Sequence, residues 1–227
     1  MKKGIPVLYE DNHLIIVNKS GGWLVQGDST QDETLADNVK DYIKIKYKKP
    51  GDVFLGIVHR LDRPVSGAVI FARTSKGLER MNALFRDRKV TKTYWALVKH
   101  RPPQTQEELV HWLKKDHIAN RTAAFNKEGK ETQKAILSYK LIGRIAEYYL
   151  LEVEPVTGRA HQIRVQLAKI GCPILGDLKY GGYKAENSRQ IYLHSRAVSF
   201  EHPVKKEPLT VEAPLPQDDI WNLFSHY

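Results

Sequence analysis

Short apolar runs alternate along the chain with polar breaks punctuated by glycine or proline, and the period of each run predicts its element. Residues 13–26, "HLIIVNKSGGWLVQ", hold an apolar run, a Gly-Gly pair and a second, shorter run, which predicts a hairpin turning at Gly21 and Gly22. From Thr34 the period lengthens. Leu35, Val39, Tyr42 and Ile43 recur at helical spacing, with Asp32 or Thr34 as cap and Pro50-Gly51 as the stop. "VFLGIV" (53–58) and "GAVIFAR" (67–73) are unbroken apolar runs and predict two buried strands. Thr74 or Ser75 then caps a helix whose Leu78, Met81, Leu84 and Phe85 form one face. "KTYWALV" (92–98), "KAILSYKLI" (134–142) and "YYLLEVEPV" (148–156) predict further strands. "HQIRVQLAKIG" (161–171) predicts a short helix that turns Ile163, Leu167 and Ile170 inward and ends at Gly171. "IYLHSRAVSFEHP" (191–203) and "LTVEAPLP" (209–216) complete the sheet.

Residues 100–131 are polar and lack strong periodicity, which predicts a surface excursion containing a short helix or hairpin. Many strands, few helices and no regular βα alternation predict an α+β fold with a mainly antiparallel central sheet flanked by a few helices and loops. No repeat, low-complexity tract or linker interrupts the 227 residues, so a single domain over 1–227 is expected.

Charge adds a partner to this picture. With 36 Lys and Arg against 26 Asp and Glu the chain carries +10, a surplus suited to a polyanion, although a basic but otherwise routine enzyme stays open on charge alone. Cys172 is the only cysteine, which excludes an intramolecular disulfide and fits a cytoplasmic setting. Its neighbours Ile170 and Ile174 suggest that it packs. The N-terminus has lysines and then acids, not the apolar core of a signal peptide, and no apolar run approaches the length of a membrane span.

Several chemistries lack their residues. There is no GxxxxGK[ST] loop, no GxGxxG and no HExxH; one cysteine cannot build a thiolate zinc site, and the nine histidines are scattered. Ser66 lacks the surroundings of a nucleophile elbow and reads as a turn residue. What remains is an acid with arginines. In "HRLDRPVSG" (59–67) Asp62 stands between Arg60 and Arg63, cations that favour its ionised form. Alone, Asp62 reads as a turn former, Arg164 as a surface helix arginine and Tyr94 as a core aromatic. However, Thr157, Gly158 and Arg159 make a tight lead into the helix of Arg164, more than a solvated helix requires.

Together these segments are more specific. "GIVHRLDRPVSGAVIFARTSK", "KTYWALV", "EPVTGRAHQIRVQLAKIGCPILGDLKYG" and "LHSRAVSF" occur in the order and spacing of the RluA-type pseudouridine synthase family, and the resemblance runs from about residue 7 to residue 215. It implies a pseudouridine synthase-like catalytic domain. Asp62 matches the catalytic aspartate, Tyr94 the tyrosine that stacks on the target base, and Arg164 the arginine that pairs with the aspartate. Arg60 matches an arginine that helps displace the flipped nucleotide, and Leu193 an apolar residue lining the pocket. His59, Arg63 and His161, in the same motifs, are candidate substrate-binding residues. Val65, Ala160, Gln166 and "NKSGG" depart from the usual pattern without removing the acid, the tyrosine or the arginine. The family's frequent N-terminal S4-like RNA-binding domain has no counterpart in the sequence.

The resemblance therefore implies isomerisation of a uridine to pseudouridine in a structured RNA, a stem-loop of tRNA or 23S rRNA. No cofactor or metal is expected, and a cytoplasmic monomer is. Two rivals stand beside it. A non-catalytic RNA-binding module would need the basic surface but not the three residues together. A glycosidase acting on another N-glycosyl bond would need a second carboxylate near Asp62, for which Glu152 and Glu154 are the candidates.

Overall fold

The first hairpin of the computed structural model forms one strand earlier than the apolar pattern predicts. Residues 5–27, 32–185 and 190–227 are described; Lys2 and Lys3, read above as part of a non-signal N-terminus, lie outside them. Strand β1 (Val7–Glu10) pairs antiparallel with β2 (Leu14–Lys19). Asp11 makes the turn, its Oδ1 accepting from the backbone N–H of His13 and of Leu14, both at 2.8 Å. Gly21 and Gly22 turn no strand back. Instead the carbonyls of Leu24 and Val25 accept from the N–H groups of Leu35 and Ala36, two donors that helix α1 (Leu35–Lys46) cannot satisfy internally. Thr34 caps that helix in a reciprocal box with Asp37.

Where one domain is the expectation, the chain groups into two compact units: Met1–Thr91 with Ser195–Pro214, and Lys92–His194 with Leu215–Tyr227. In the first, only Gly56–Ile57 of the run 53–58 forms a strand, β3, and it pairs with β4 (Ser66–Ala72), which also pairs with β2 over its whole length. Helix α2 (Ser75–Arg86) starts at Thr74, whose hydroxyl accepts from the N–H of Gly77.

The second unit takes β5 (Thr91–Val98), β6 (Gln106–Asp116), β7 (Arg121–Phe125), β8 (Gln133–Ile145) and β9 (Tyr148–Pro155), joined antiparallel in the order β5-β9-β8-β6-β7. The excursion at 100–131 is thus largely a long hairpin. Its buried residues alternate as Leu109, His111 and Leu113; the polar histidine in the middle hides the period from a hydropathy reading. Helix α3 (Gln162–Lys169) follows β9 and ends before Gly171, which sits at φ 81°.

Strand β10 (Leu193–Glu201) begins in the second unit and ends in the first, where it pairs with β11 (Pro208–Glu212). The first unit's core draws every second residue from its strands: Leu14 and Ile16, Ala68, Ile70 and Ala72, Val198 and Phe200, with Met81 from α2. Ile15, Val17, Val69 and Phe71 are equally buried, so neither face of β2 or β4 meets water, which is why both read as unbroken apolar runs. Each such side chain contributes roughly 1.5–3 kcal/mol. Gly67, at φ 115°, lets β4 approach β10; a Cβ there would stand 2.3 Å from the carbonyl oxygen of Ser195. A last helix, α4 (Asp219–Leu223), escapes the sequence reading although Asp218 caps it through the N–H groups of Ile220 and Trp221.

Candidate active site

The first unit carries the acid on a turn just before β4. The N–H of Val65 donates to the carbonyl of Asp62 at 3.0 Å, which closes residues 62–65 through the backbone. Leu61 and Val65 are buried and anchor the turn, Asp62 is half-buried, and Arg60 and Arg63 are exposed. The turn is held from beneath by Lys19, which is 1% exposed. Its Nζ donates to the carbonyls of Val65 at 2.6 Å, Arg63 at 3.0 Å and Ser20 at 3.2 Å, one acceptor for each ammonium hydrogen. Burial pushes the Lys19 ammonium down to about 7, against the pull of Asp62.

That shift has a sign that can be checked. Between about 7 and the ordinary value near 10.5 the unfolded chain holds a proton on Lys19 that the folded chain releases. Stability from this group is therefore complete above 10.5 and is lost as pH falls through 7, with a slope of at most about 1.4 kcal/mol per pH unit. Urea midpoints measured at pH 7 and pH 9 are expected to rise for the wild type relative to Lys19→Met. Parallel changes in the two proteins would remove Lys19 as the cause.

His59 and Arg63, expected at the substrate, are committed within the protein. His59 Nε2 accepts from the N–H of Ile70 at 3.1 Å, which requires an unprotonated Nε2, and its ring stacks on Phe85. The Arg63 guanidinium donates to the Gly22 carbonyl from Nε at 3.0 Å and meets Asp32 at 2.9 Å through Nη1. Both residues thus brace the segments around the turn. Arg60 lies on an open groove of about 450 Å³ with Phe54, Ile57, Val58, His59 and Leu78. Phe54 is half exposed there.

The second unit carries the arginine. Far from lying on the surface, Arg164 is 5% exposed. Its Nε and Nη2 donate to the two carboxylate oxygens of Asp177 at 2.7 and 2.8 Å, a bidentate pair with both partners buried. The tight lead into α3 is held by Gln162, whose Oε1 accepts from the Thr157 hydroxyl and the Arg159 N–H and whose Nε2 donates to the Ile136 carbonyl. Gln166, wholly buried, donates from Nε2 to the Leu109 carbonyl and fixes the next turn of α3 on β6. His161 sits at φ 53° and pairs through Nδ1 with the Tyr180 hydroxyl at 2.7 Å.

Asp177 and Tyr180 escape the sequence reading, although both stand in the quoted "GDLKYG". Gly182 makes their short 3-10 turn possible, since a Cβ there would meet the Ile174 carbonyl oxygen at 2.1 Å. Tyr94 is buried in β5 and pairs with Val153 of β9. Leu193 is buried at the start of β10.

The glutamates named for a glycosidase lie on the sheet face opposite Tyr94. Directly paired residues share a face of a sheet and successive ones alternate, so Tyr94 and Val153 lie on one face of β5 and β9. Glu152 and Glu154 lie on the other, where they line a groove of about 420 Å³ with Glu107, Glu108 and Lys140. Among the described residues no group of three or more His, Cys, Asp or Glu is placed to hold a metal ion, and no helix is long and apolar enough to cross a membrane.

Residues 13–169 match a family model described as RNA pseudouridylate synthase, a span that contains Asp62, Tyr94 and Arg164. The ribosomal large subunit pseudouridine synthase C of Vibrio cholerae is 32% identical over 216 residues, covering 92% of this chain and 65% of that protein. The chain thus spans just under two thirds of the length of such ribosomal relatives. The tRNA pseudouridine synthase C of Vibrio parahaemolyticus is 29% identical over 245 residues, covering 98% of this chain and 95% of that protein. Among solved structures, human RNA Pseudouridylate Synthase Domain Containing 4 shares the fold with a TM-score of 0.78 at 24% identity, over 97% of this chain and 92% of that one.

Proposed function

Because the chain belongs to the RNA pseudouridylate synthase family, we propose that it isomerises a uridine of a structured RNA to pseudouridine, with Asp62 as nucleophile or base and Tyr94 and Arg164 serving the same reaction. The observation that carries this is the family match over residues 13–169, a span that holds all three residues. In the reaction the N1–C1′ bond breaks, the base turns, and C5 bonds to C1′; C5 gives up its proton and N1 gains one. The balance involves no net redox change and no group donor. The target must leave its stack, at a cost of about a few kcal/mol, and Arg60, exposed beside the turn of Asp62, suits the space it vacates. The Tyr94 ring offers a stacking face. A cytoplasmic monomer is the setting this reading expects.

Support against a glycosidase comes from Glu152 and Glu154, which face away from Tyr94. A bare RNA-binding module would have no use for a buried arginine clamped in a bidentate pair. Incubating the protein with a uridine-labelled transcript, digesting it and separating the nucleosides distinguishes the three: pseudouridine, free uracil or unchanged uridine.

Tyr94→Phe keeps the ring and removes the hydroxyl. We expect RNA affinity to persist and turnover to slow, as required if the hydroxyl helps to remove the C5 proton. Full activity of Tyr94→Phe in single-turnover assays would reduce Tyr94 to a platform.

The RNA is proposed to be a compact stem-loop of tRNA or 23S rRNA. Lys40, Lys44, Lys48 and Lys49 of α1 and its C-terminal side are exposed, as are Arg86 at the end of α2 and Arg88 and Lys89 after it. Lys46 is taken by Glu10 at 2.6 Å, and Lys92 is half-buried. An isolated loop should suffice as substrate, with affinity falling steeply as salt rises. Modification of assembled ribosomal subunits alone, with the loop inert, would contradict this.

A further inference from the structure

We propose that Tyr180 is a positioning residue for Arg164 and the joint through which the β6–β7 hairpin sets the orientation of that guanidinium. The inference rests on the role given to Arg164 above. Asp177 holds two nitrogens of Arg164 along one edge of the guanidinium. Tyr180 lies against the same group: the Arg164 Cζ lies 5.1 Å from the centroid of its ring.

What holds the tyrosine is the hairpin. The Tyr180 hydroxyl accepts from the backbone N–H of Thr122 at 2.8 Å, at the start of β7. Thr122 in turn donates from Oγ1 to the Ala160 carbonyl, next to His161, whose Nδ1 meets the same tyrosine hydroxyl. Lys179 Nζ reaches the Asn120 carbonyl at 2.8 Å, and the Arg121 guanidinium carbon lies 5.6 Å from the Tyr180 ring centroid. Three links thus tie residues 120–122 to the segment that clamps Arg164, and a fourth ties Thr122 to the lead into α3. Tyr180 is buried, and its ring packs with Leu113, Ala135 and Val165 of β6, β8 and α3.

The hairpin itself is made to be touched. Its tip is a turn closed by Asp116, whose Oδ1 accepts from the N–H groups of Ile118 and Ala119. Ile118 is fully exposed at that tip, with Lys115 and Arg121 exposed on the two strands below it. An apolar tip flanked by cations suits a nucleic acid, the cations meeting phosphates and the isoleucine a base. Contact there would move Arg121 and Thr122, and through Tyr180 the guanidinium. The linkage would thus report bound RNA to the catalytic arginine.

The test is Tyr180→Phe, which keeps the ring and loses the hydroxyl. At saturating RNA the single-turnover rate should fall about tenfold, the order expected of a small misplacement, with RNA affinity within twofold of wild type. His161→Asn, a residue that tolerates the left-handed backbone, removes a different partner of the hydroxyl and should act in the same direction should the phenylalanine variant fold poorly. A second readout needs no turnover. The Nε–H resonance of Arg164, assigned by its loss in Arg164→Lys, should shift when Arg121→Gln perturbs the hairpin, and that shift should vanish in the Tyr180→Phe background. A rate unchanged within twofold, or an Arg121→Gln shift of equal size in both backgrounds, would overturn the proposal. Absence of pseudouridine with the wild-type protein would count against the functional reading, while the resonance would still decide the role of Tyr180.

Discussion

Asp62→Asn is expected to abolish pseudouridine formation while leaving RNA affinity within a few-fold of wild type. The amide fills nearly the same volume and leaves the turn in place, because residues 62–65 are closed by backbone and braced by Lys19 through the carbonyls of Arg63 and Val65. What it lacks is the negative charge and nucleophilicity of a carboxylate, so it can neither attack carbon nor take a proton. In the proposed function binding rests on the basic surface and on Tyr94, neither of which the substitution alters. Filter binding and single-turnover kinetics on one RNA check both halves. A variant within an order of magnitude of the wild-type rate would remove Asp62 from the chemistry.

Arg164→Met should be nearly as damaging, and for two separable reasons. It removes the cation proposed to serve the reaction, and it strands the Asp177 carboxylate, 1% exposed, without its Arg164 partner. Breaking a buried pair from one side costs about 3–5 kcal/mol, so the single variant should unfold at markedly lower urea and turn over at least about a hundredfold more slowly. The double variant Arg164→Met/Asp177→Asn separates these effects. It removes the stranded charge and should recover most of the stability, whereas turnover should stay low. A double variant that regains both would make Arg164 a structural residue.

The sequence shows the acid more readily than the arginine's surroundings, and the reason is locality. Asp62, its flanking arginines and the Pro64 turn are contiguous, so their chemistry can be read in one place. Arg164 reads as a surface residue because its partner lies thirteen positions away in another element, and burial is a property of packing that helical spacing does not reveal. The signal was present in "GDLKYG", where glycines bracket an acid and an aromatic, but the spacing alone does not say what they hold. Lys19 was hidden for a similar reason. A lysine ending an apolar run looks like the polar end of a strand until the three carbonyls around it are placed.

Among the elements, α1 and α2 are legible because cap and period agree, at Thr34 and Thr74, and α3 because its period stops at Gly171. The first hairpin was misplaced because a Gly-Gly pair outweighed Asp11 as a turn signal, yet Asp11 satisfies two N–H groups at once. The β6–β7 hairpin was blurred by His111, buried where the pattern calls for an apolar residue.

If Asp62 acts as proposed, C5 of a uridine exchanges its hydrogen for the bond to C1′. RNA carrying tritium at uridine C5 tests it most directly, because the label must leave when that bond forms. The wild-type protein should release tritium in step with the pseudouridine recovered after digestion, and Asp62→Asn should release none. Tritium retained at C5 with every RNA offered, or label recovered in free uracil, would contradict the account.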